Sequence, residues 1–162
     1  MRLDKVTNIV FTGLGGRGII TASDICALAA VYAGMDVKKS ALKGIAQRGG
    51  LVVSHVRFGP KVRSPRVEPG TADFAVSIGG KEKAVSFLLE SGILIDMPDD
   101  IIKQYGRFAN IYALGILSRH LPFGMDAWEL AIKERFLDGV CSENIRIFKE
   151  GINESLLSHT RI

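Results

Sequence analysis

Gly13-Leu14-Gly15-Gly16-Arg17-Gly18 is the stretch whose residue types and spacing most directly imply chemistry. An apolar run, Asn8 to Thr12, leads into it as a buried strand, and a small-residue segment, Ile19 to Ala33, leaves it as a helix. A strand, a glycine turn and a helix N-terminus bring free backbone N–H groups together, which suits an anionic group. Glycines at 13, 15 and 18 also match Gly-x-Gly-x-x-Gly, the dinucleotide fingerprint. That fingerprint further requires an acid at the end of the second strand to hold a ribose. Here Asp36 opens that strand, and Lys39 and Ser40 stand at its far end, an arrangement that disfavours NAD and leaves room for the 2′-phosphate of NADP. Arg17 puts a cation in the first helical turn, at a cost of roughly 0.3–1 kcal/mol against the helix dipole, which a nearby anion would offset.

A second candidate is Gln47-Arg48-Gly49-Gly50, just before a buried strand. Its glycines permit close approach of a backbone or ligand, and Arg48 could clamp a carboxylate or phosphate. The same residues also suit a tight turn carrying a surface arginine. Between Val37 and Val67 the basic residues Lys38, Lys39, Lys43, Arg48, Arg57, Lys61, Arg63 and Arg66 occur with no Asp or Glu. Such a block points to an anionic partner or to a solvated basic face. His55, inside the strand, reads as a satisfied structural histidine, and Cys26, amid small apolar residues, as a buried thiol. No nucleophile with its base, no carboxylate pair and no Cys-x-x-Cys spacing is visible, so no catalytic residue and no metal ligand is assigned.

The elements that must position these residues alternate. Met35–Ser40 reads as a short strand, Leu51–Phe58 as a β-branched strand closed by Gly59-Pro60, and Ala72–Ile78 as another. Pro65 and Pro69 restrict residues 61–70 to an edge strand or an extended loop. Lys81–Glu90 reads as a helix, Gly92–Asp96 as a strand, and Arg107–Tyr112 as a last strand running into a helix to His120. Asp126 and Glu129, spaced as a capping pair, open a helix with Trp128, Ile132 and Phe136 on one face. A final helix from Glu143 to about Ser158 carries Ile145, Phe148, Ile152 and Leu156. The expected fold is α/β: a three-layer α/β/α single domain over residues 1–162, with a mainly parallel sheet and a helical C-terminal third.

The chain has 162 residues, 47% hydrophobic and 23% charged, with a formal charge of +4. These are values of a globular domain and argue against disorder. No apolar run reaches the roughly 18 residues of a membrane span, and the charged N-terminus is unlike a signal peptide. A cytoplasmic location, with no membrane partner, is the expectation. Nucleic-acid binding is disfavoured because the basic block lacks interleaved aromatic residues and a reading helix.

Taken in order, the glycine loop, Ala46-Gln47-Arg48-Gly49-Gly50, Val52-Val53-Ser54-His55-Val56-Arg57-Phe58-Gly59 and Ser64-Pro65 resemble the gamma-type subunits of 2-oxoacid:ferredoxin oxidoreductases. The Gln-Arg-Gly-Gly and Val-Ser-His-Val-Arg forms look most like those of indolepyruvate ferredoxin oxidoreductase beta subunits. The likeness continues through Gly70-Thr71-Ala72-Asp73, residues Asn110 to Gly115, and Glu143-Asn144-Ile145 with Phe148 and Gly151. Arg17, Ala41 and Lys43 stand where that family is expected to carry glutamine, glutamate and histidine. The resemblance implies a subunit of an enzyme that decarboxylates arylpyruvates, or another 2-oxoacid, to acyl-CoA thioesters and passes the electrons to ferredoxin. It implies no redox cofactor in this chain, with thiamine diphosphate and 4Fe–4S clusters in a larger catalytic subunit and coenzyme A as co-substrate. Gly13, Gly15, Gly16, Arg17, Gly18, Gln47, Arg48, Gly49 and Gly50 are the candidate residues for a coenzyme A phosphate or for the partner interface. The isolated chain is expected to be inactive, and could form a homodimer. A stand-alone NADP- or FAD-type module built on Gly13–Gly18 is the competing reading.

Overall fold

The apolar runs become the central strands of a six-stranded sheet, and the more polar strand Asp36–Lys43 and the two-residue strand Thr160–Arg161 form its edges. The computed structural model describes residues 5–43, 50–136, 139–154 and 160–161. Strand β1 (Thr7–Leu14) leads through the glycine loop to helix α1 (Ile19–Tyr32), and strands β2 (Asp36–Lys43), β3 (Leu51–Gly59) and β4 (Ala72–Ile78) follow. Helix α2 (Lys81–Phe87), strand β5 (Leu88–Asp96), helix α3 (Asp99–Tyr105) and a 3-10 turn (Gly106–Phe108) come next. Helices α4 (Ala109–Ser118), α5 (Met125–Arg135) and α6 (Cys141–Ile152) and a short strand β6 (Thr160–Arg161) complete the chain.

The α/β fold expected from sequence is present, but the sheet is mixed. Its order is β2-β3-β1-β4-β5-β6. Only β1–β4 and β4–β5 pair in parallel; β1–β3, β2–β3 and β5–β6 are antiparallel. A parallel crossover needs a dozen or more residues and usually a helix, whereas β2 and β3 are joined directly by residues 44–50 and so fold back on one another. The expectation of a mainly parallel sheet is corrected on this point.

The two faces are covered unequally. One face carries the main core: Ile9, Phe11, Val56, Phe58, Phe74, Val76 and Ile95 pack against α1 and α4–α6, with Trp128 and Phe148 fully buried. Ala22, Cys26, Ala29 and Ala30 keep α1 close to the sheet, and burial pushes the Cys26 thiol pKa well above its ordinary range. The opposite face is covered by α2 and by residues 60–71, an extended segment that packs Val67 against Val10, Val53 and Phe87.

The helices depart from the sequence reading at several points. Residues 107–112 form no strand; the 3-10 turn and α4 take their place. Every residue from Ala109 to Leu117 is buried, so no polar face marks the helical period. Helix α2 stops at Phe87 and the chain re-enters the sheet at Leu88. Helix α3 is an addition, signalled by Pro98 at its start, Asp99 and Asp100 in its first turn and Lys103 in its last. Asp126 and Glu129 do not form the expected cap: Gly124 is the N-cap of α5 and no side chain bonds there. In α6 the buried residues are Asn144, Ile147, Phe148 and Gly151; Leu156 lies outside the described residues.

Candidate functional site

The glycine loop sits where the parallel strands end. Leu14 is opposite Leu51, and Gly13 is opposite both Val52 and Ile78, so β3 begins and β4 ends at the same sheet edge. The loop's glycines have distinct jobs. A Cβ on Gly13 would lie 2.5 Å from the carbonyl oxygen of Ile78 and 2.5 Å from Ile19 Cδ1. Gly16 and Gly18 have φ of +87° and +72°, in the left-handed region that favours glycine. A Cβ on Gly18 would also fall 2.4 Å from Asn110 Nδ2. The amide Nδ2 of Asn110 donates to the Gly18 carbonyl at 3.1 Å, while its Oδ1 accepts from the Ile111 N–H at 2.9 Å.

The two motifs singled out in the sequence meet here. The Gly15 N–H donates to the Gly50 carbonyl at 2.9 Å. Gln47, Arg48 and Gly49 lie outside the described residues. Arg17 is exposed, and its backbone N–H closes the turn onto the Leu14 carbonyl at 3.2 Å. Helix α1 starts with no side-chain cap and no acid in its first turn. Its first N–H groups therefore keep their capacity for an outside acceptor.

Beside the loop is a cavity of about 200 Å³ lined by Gly16, Gly18, Thr21, Arg107, Phe108, Asn110, Phe136, Val140 and Asn144. Arg107 lies with its guanidinium 4.7 Å from the Phe108 ring centre, and Arg135 Nη2 donates to Thr21 Oγ1 at 3.2 Å. The Glu143 carboxyl is held below its ordinary range, chiefly by hydrogen bonds from Arg146 and to a lesser degree by the charge of Arg107. Asn144 Nδ2 donates to the Val140 carbonyl at 2.7 Å. The arrangement can receive an anionic or hydrogen-bond-accepting group. Sequence reasoning did not assign Arg107, Asn110 or Asn144, which reach the loop from the helical third. The signal was a lone Asn in an otherwise apolar run.

On the other face of the same edge, a larger cavity of about 580 Å³ is lined by Leu51, Gly79, Gly80, Lys81, Glu82, Lys83 and Ser86. Lys81 pairs with Asp96 at 3.4 Å, and Lys83 sits 5.2 Å from the Phe87 ring centre.

Among its described members, Lys43 is opposite Val52 and so level with Gly13, while most of the basic block lies away from the loop. Lys38 is opposite Arg57, and Arg57 opposite Asn8, toward the far end of β1. Several of its charges are engaged: Lys38 with Asp36 at 3.7 Å, Lys39 with Asp24 at 2.8 Å, and Arg66 with Glu68 at 3.2 Å. Arg57 donates to Asn8 Oδ1 at 2.8 Å and to the Ser64 carbonyl at 2.9 Å. Asp36, the nearest substitute for a ribose-binding acid, accepts from the Val62 N–H at 2.7 Å. In a dinucleotide-binding fold the strand after α1 lies beside and parallel to β1. Here β3 intervenes, so Gly-x-Gly-x-x-Gly stands outside its usual topology. Among the described residues no group of three His, Cys, Asp or Glu could hold a metal ion, and no helix is long and apolar enough to cross a membrane.

Comparison with known proteins adds a family. The family model described as pyruvate ferredoxin/flavodoxin oxidoreductase matches residues 8–95, the stretch from β1 through most of β5. The indolepyruvate oxidoreductase subunit IorB of Archaeoglobus fulgidus is 29% identical, over 92% of this chain and 95% of that protein. The same-named subunit of Thermococcus kodakarensis is 38% identical over 56% of this chain and 46% of its own length. Among solved structures, the gamma subunit of a keto/oxoacid ferredoxin oxidoreductase from Geobacter sulfurreducens superposes with a TM-score of 0.75 at 25% identity, covering 91% of this chain and 96% of that one. The pyruvate oxidoreductase subunit PORC of Thermotoga maritima shares the fold, with a TM-score of 0.75 at 24% identity over 93% of this chain and 97% of its own.

Proposed function

We propose, for a chain that belongs to the pyruvate ferredoxin/flavodoxin oxidoreductase family, that it is the gamma-type subunit of an indolepyruvate or other arylpyruvate ferredoxin oxidoreductase. All 162 residues form one such domain, without a redox cofactor of its own. The larger partner subunit carries thiamine diphosphate and the 4Fe–4S clusters, and the assembled enzyme delivers electrons to ferredoxin in the cytoplasm. The observation that carries this reading is the likeness to an IorB subunit along nearly the whole of both chains.

At the sheet edge, the chain's own part is to present a preformed surface. Leu14, in the glycine loop, and Val140, on the wall of the neighbouring cavity, are exposed apolar side chains, 40% and 39% accessible. Together with Arg17 they favour a protein partner. The uncapped start of α1, Arg107 and the cavity between them fit a phosphate of coenzyme A, with Gly16, Gly18, Thr21 and Asn110 shaping the wall. When bound, coenzyme A supplies the thiol that takes up the acyl group. Gly50 borders the same edge through the Gly15–Gly50 hydrogen bond, and Gln47, Arg48 and Gly49, which precede it in the sequence, are proposed to serve the same contact.

Co-expression with a thiamine- and cluster-bearing large subunit from the same source tests the assignment. The two chains should co-elute, and indolepyruvate- and coenzyme A-dependent reduction of a viologen dye should require both. Arg17→Glu should weaken co-elution at least tenfold while leaving the fold intact. Failure of the chains to associate, or activity of the large subunit unaffected by this chain, would overturn the proposal.

A further inference from the structure

The extended segment 60–71 is fastened to the sheet by a small number of hydrogen bonds, and the one at its middle uses a titratable ring. Near its start the Val62 N–H donates to Asp36 Oδ2 at 2.7 Å, and the Ser64 carbonyl accepts from Arg57 Nη1 at 2.9 Å. Near its end the Gly70 N–H donates to the Ser86 carbonyl of α2 at 3.2 Å, and the Thr71 carbonyl accepts from Asn8 Nδ2 of β1 at 3.0 Å. Between these anchors the Val67 N–H donates to His55 Nδ1 at 2.9 Å. Pro65 and Pro69 flank that point and have no N–H to offer, so the bow from 65 to 69 depends heavily on Val67.

His55 is 3% exposed, with its ring edge-on to Phe87 at 5.2 Å between centres. Because Nδ1 accepts, the neutral ring carries its hydrogen on Nε2, and Nε2 is buried with no hydrogen-bond partner among the described residues. Adding a proton would place an N–H on Nδ1, facing the Val67 N–H at hydrogen-bond distance. Two donors cannot share that contact. Water around an opened bow would satisfy both ring nitrogens.

We propose that His55 is a proton-operated latch: when its ring takes up a proton, residues 65–69 lift from the sheet and open the apolar cluster of Val10, Val53, Val67 and Phe87. The charged groups facing the ring come from two elements, Arg66 and Glu68 on the bow and Lys83 on α2. Its strand neighbours across the sheet, Val10 on β1 and Ser40 on β2, carry no charge. Burial, Arg66 and Lys83 all resist protonation, and Glu68 favours it, so the latch stays closed at neutral pH and opens on the acidic side. The opening is local, because the anchors at Val62, Ser64 and Gly70 do not involve the ring.

Hydrogen exchange and NMR on the whole chain test this between pH 7.5 and 5. Protection of the Val67 amide, corrected for intrinsic exchange, should fall at least tenfold in step with titration of the His55 ring. The Ile9 and Val76 amides of β1 and β4 should keep their protection. In His55→Asn the side-chain oxygen keeps an acceptor close to the Nδ1 position but does not titrate, so Val67 should stay protected throughout. Should that variant fail to fold, the two wild-type curves decide alone. Val67 protection that survives ring protonation, loss of protection simultaneous with β1 and β4, or a ring that stays neutral until the whole fold is lost would each overturn the latch.

Discussion

Two glycines separated by one arginine answer different physical demands. Gly16 has a left-handed backbone but open space around its Cα, whereas Gly18 combines a left-handed backbone with contact against Asn110. An L-residue in that backbone region costs about 1–2 kcal/mol. Gly16→Ala should therefore lower stability by about that much. Gly18→Ala must in addition displace the Asn110 amide, which holds the Gly18 carbonyl and the Ile111 N–H in the first turn of α4, adding about 1–3 kcal/mol of overpacking. Urea denaturation of the two variants checks the difference, and equal losses would remove Asn110 from the explanation. The glycine spacing was legible in the sequence as a turn between a strand and a helix start. The role of Asn110 was not, because its contact with Gly18 spans 92 residues of chain and depends on α4 packing beside α1.

Among the elements, those with a strong local signal matched the sequence reading. Strands β1 and β4 are apolar runs and β3 a β-branched one, each ending at or followed by a glycine, and the prolines at 65 and 69 marked an extended segment correctly. The residues that begin α4 look like a strand in the sequence because burial on all sides erases amphipathic periodicity. The same closeness makes it sensitive. A Cβ on Gly115 would lie 2.1 Å from the Phe148 carbonyl oxygen and 2.9 Å from Gly151 Cα, both backbone atoms of α6. Backbone cannot rotate aside, so Gly115→Ala must push α4 and α6 apart, at a cost of about 1–3 kcal/mol or more. Gly124 provides the contrast. It caps α5 in an extended conformation with nothing within 4 Å of a Cβ and no side-chain bond to the helix. Gly124→Ser should add a few tenths of a kcal/mol by supplying that bond. Thermal melts should move in opposite directions for the two variants, and a Gly115→Ala protein with unchanged stability would contradict the close packing of α4 on α6.

For the molecule as a whole, strand order was the least legible property, since it depends on which faces α1 and segment 60–71 cover after β1 is buried. That arrangement also determines how stability varies with pH. In the folded state His55 is buried with its pKa lowered, so below about pH 6.5 the unfolded chain binds more protons and stability falls as pH drops toward the folded value. Asp36 is lowered by the Val62 N–H first, and Glu143 by Arg146 first. Their contributions are present above about pH 4 and are lost as pH falls through their folded values. Both carboxylates are partly exposed and open to screening, so that lower step should shrink in 0.5 M salt while the His55 step persists. On the alkaline side, Tyr112 is raised by burial first and then by Glu154, and Tyr105 by burial first and then by Glu150. Above about pH 10 the unfolded tyrosines release protons that the folded ones retain, so stability declines as pH rises. Tyr112→Phe should flatten that alkaline limb and leave the acid limb in place, because Tyr112 lies on the helical face and His55 beneath segment 60–71. Urea midpoints taken from pH 2 to 11 would show both limbs, and an alkaline decline undiminished in Tyr112→Phe would place its origin outside the contact between α4 and Glu154.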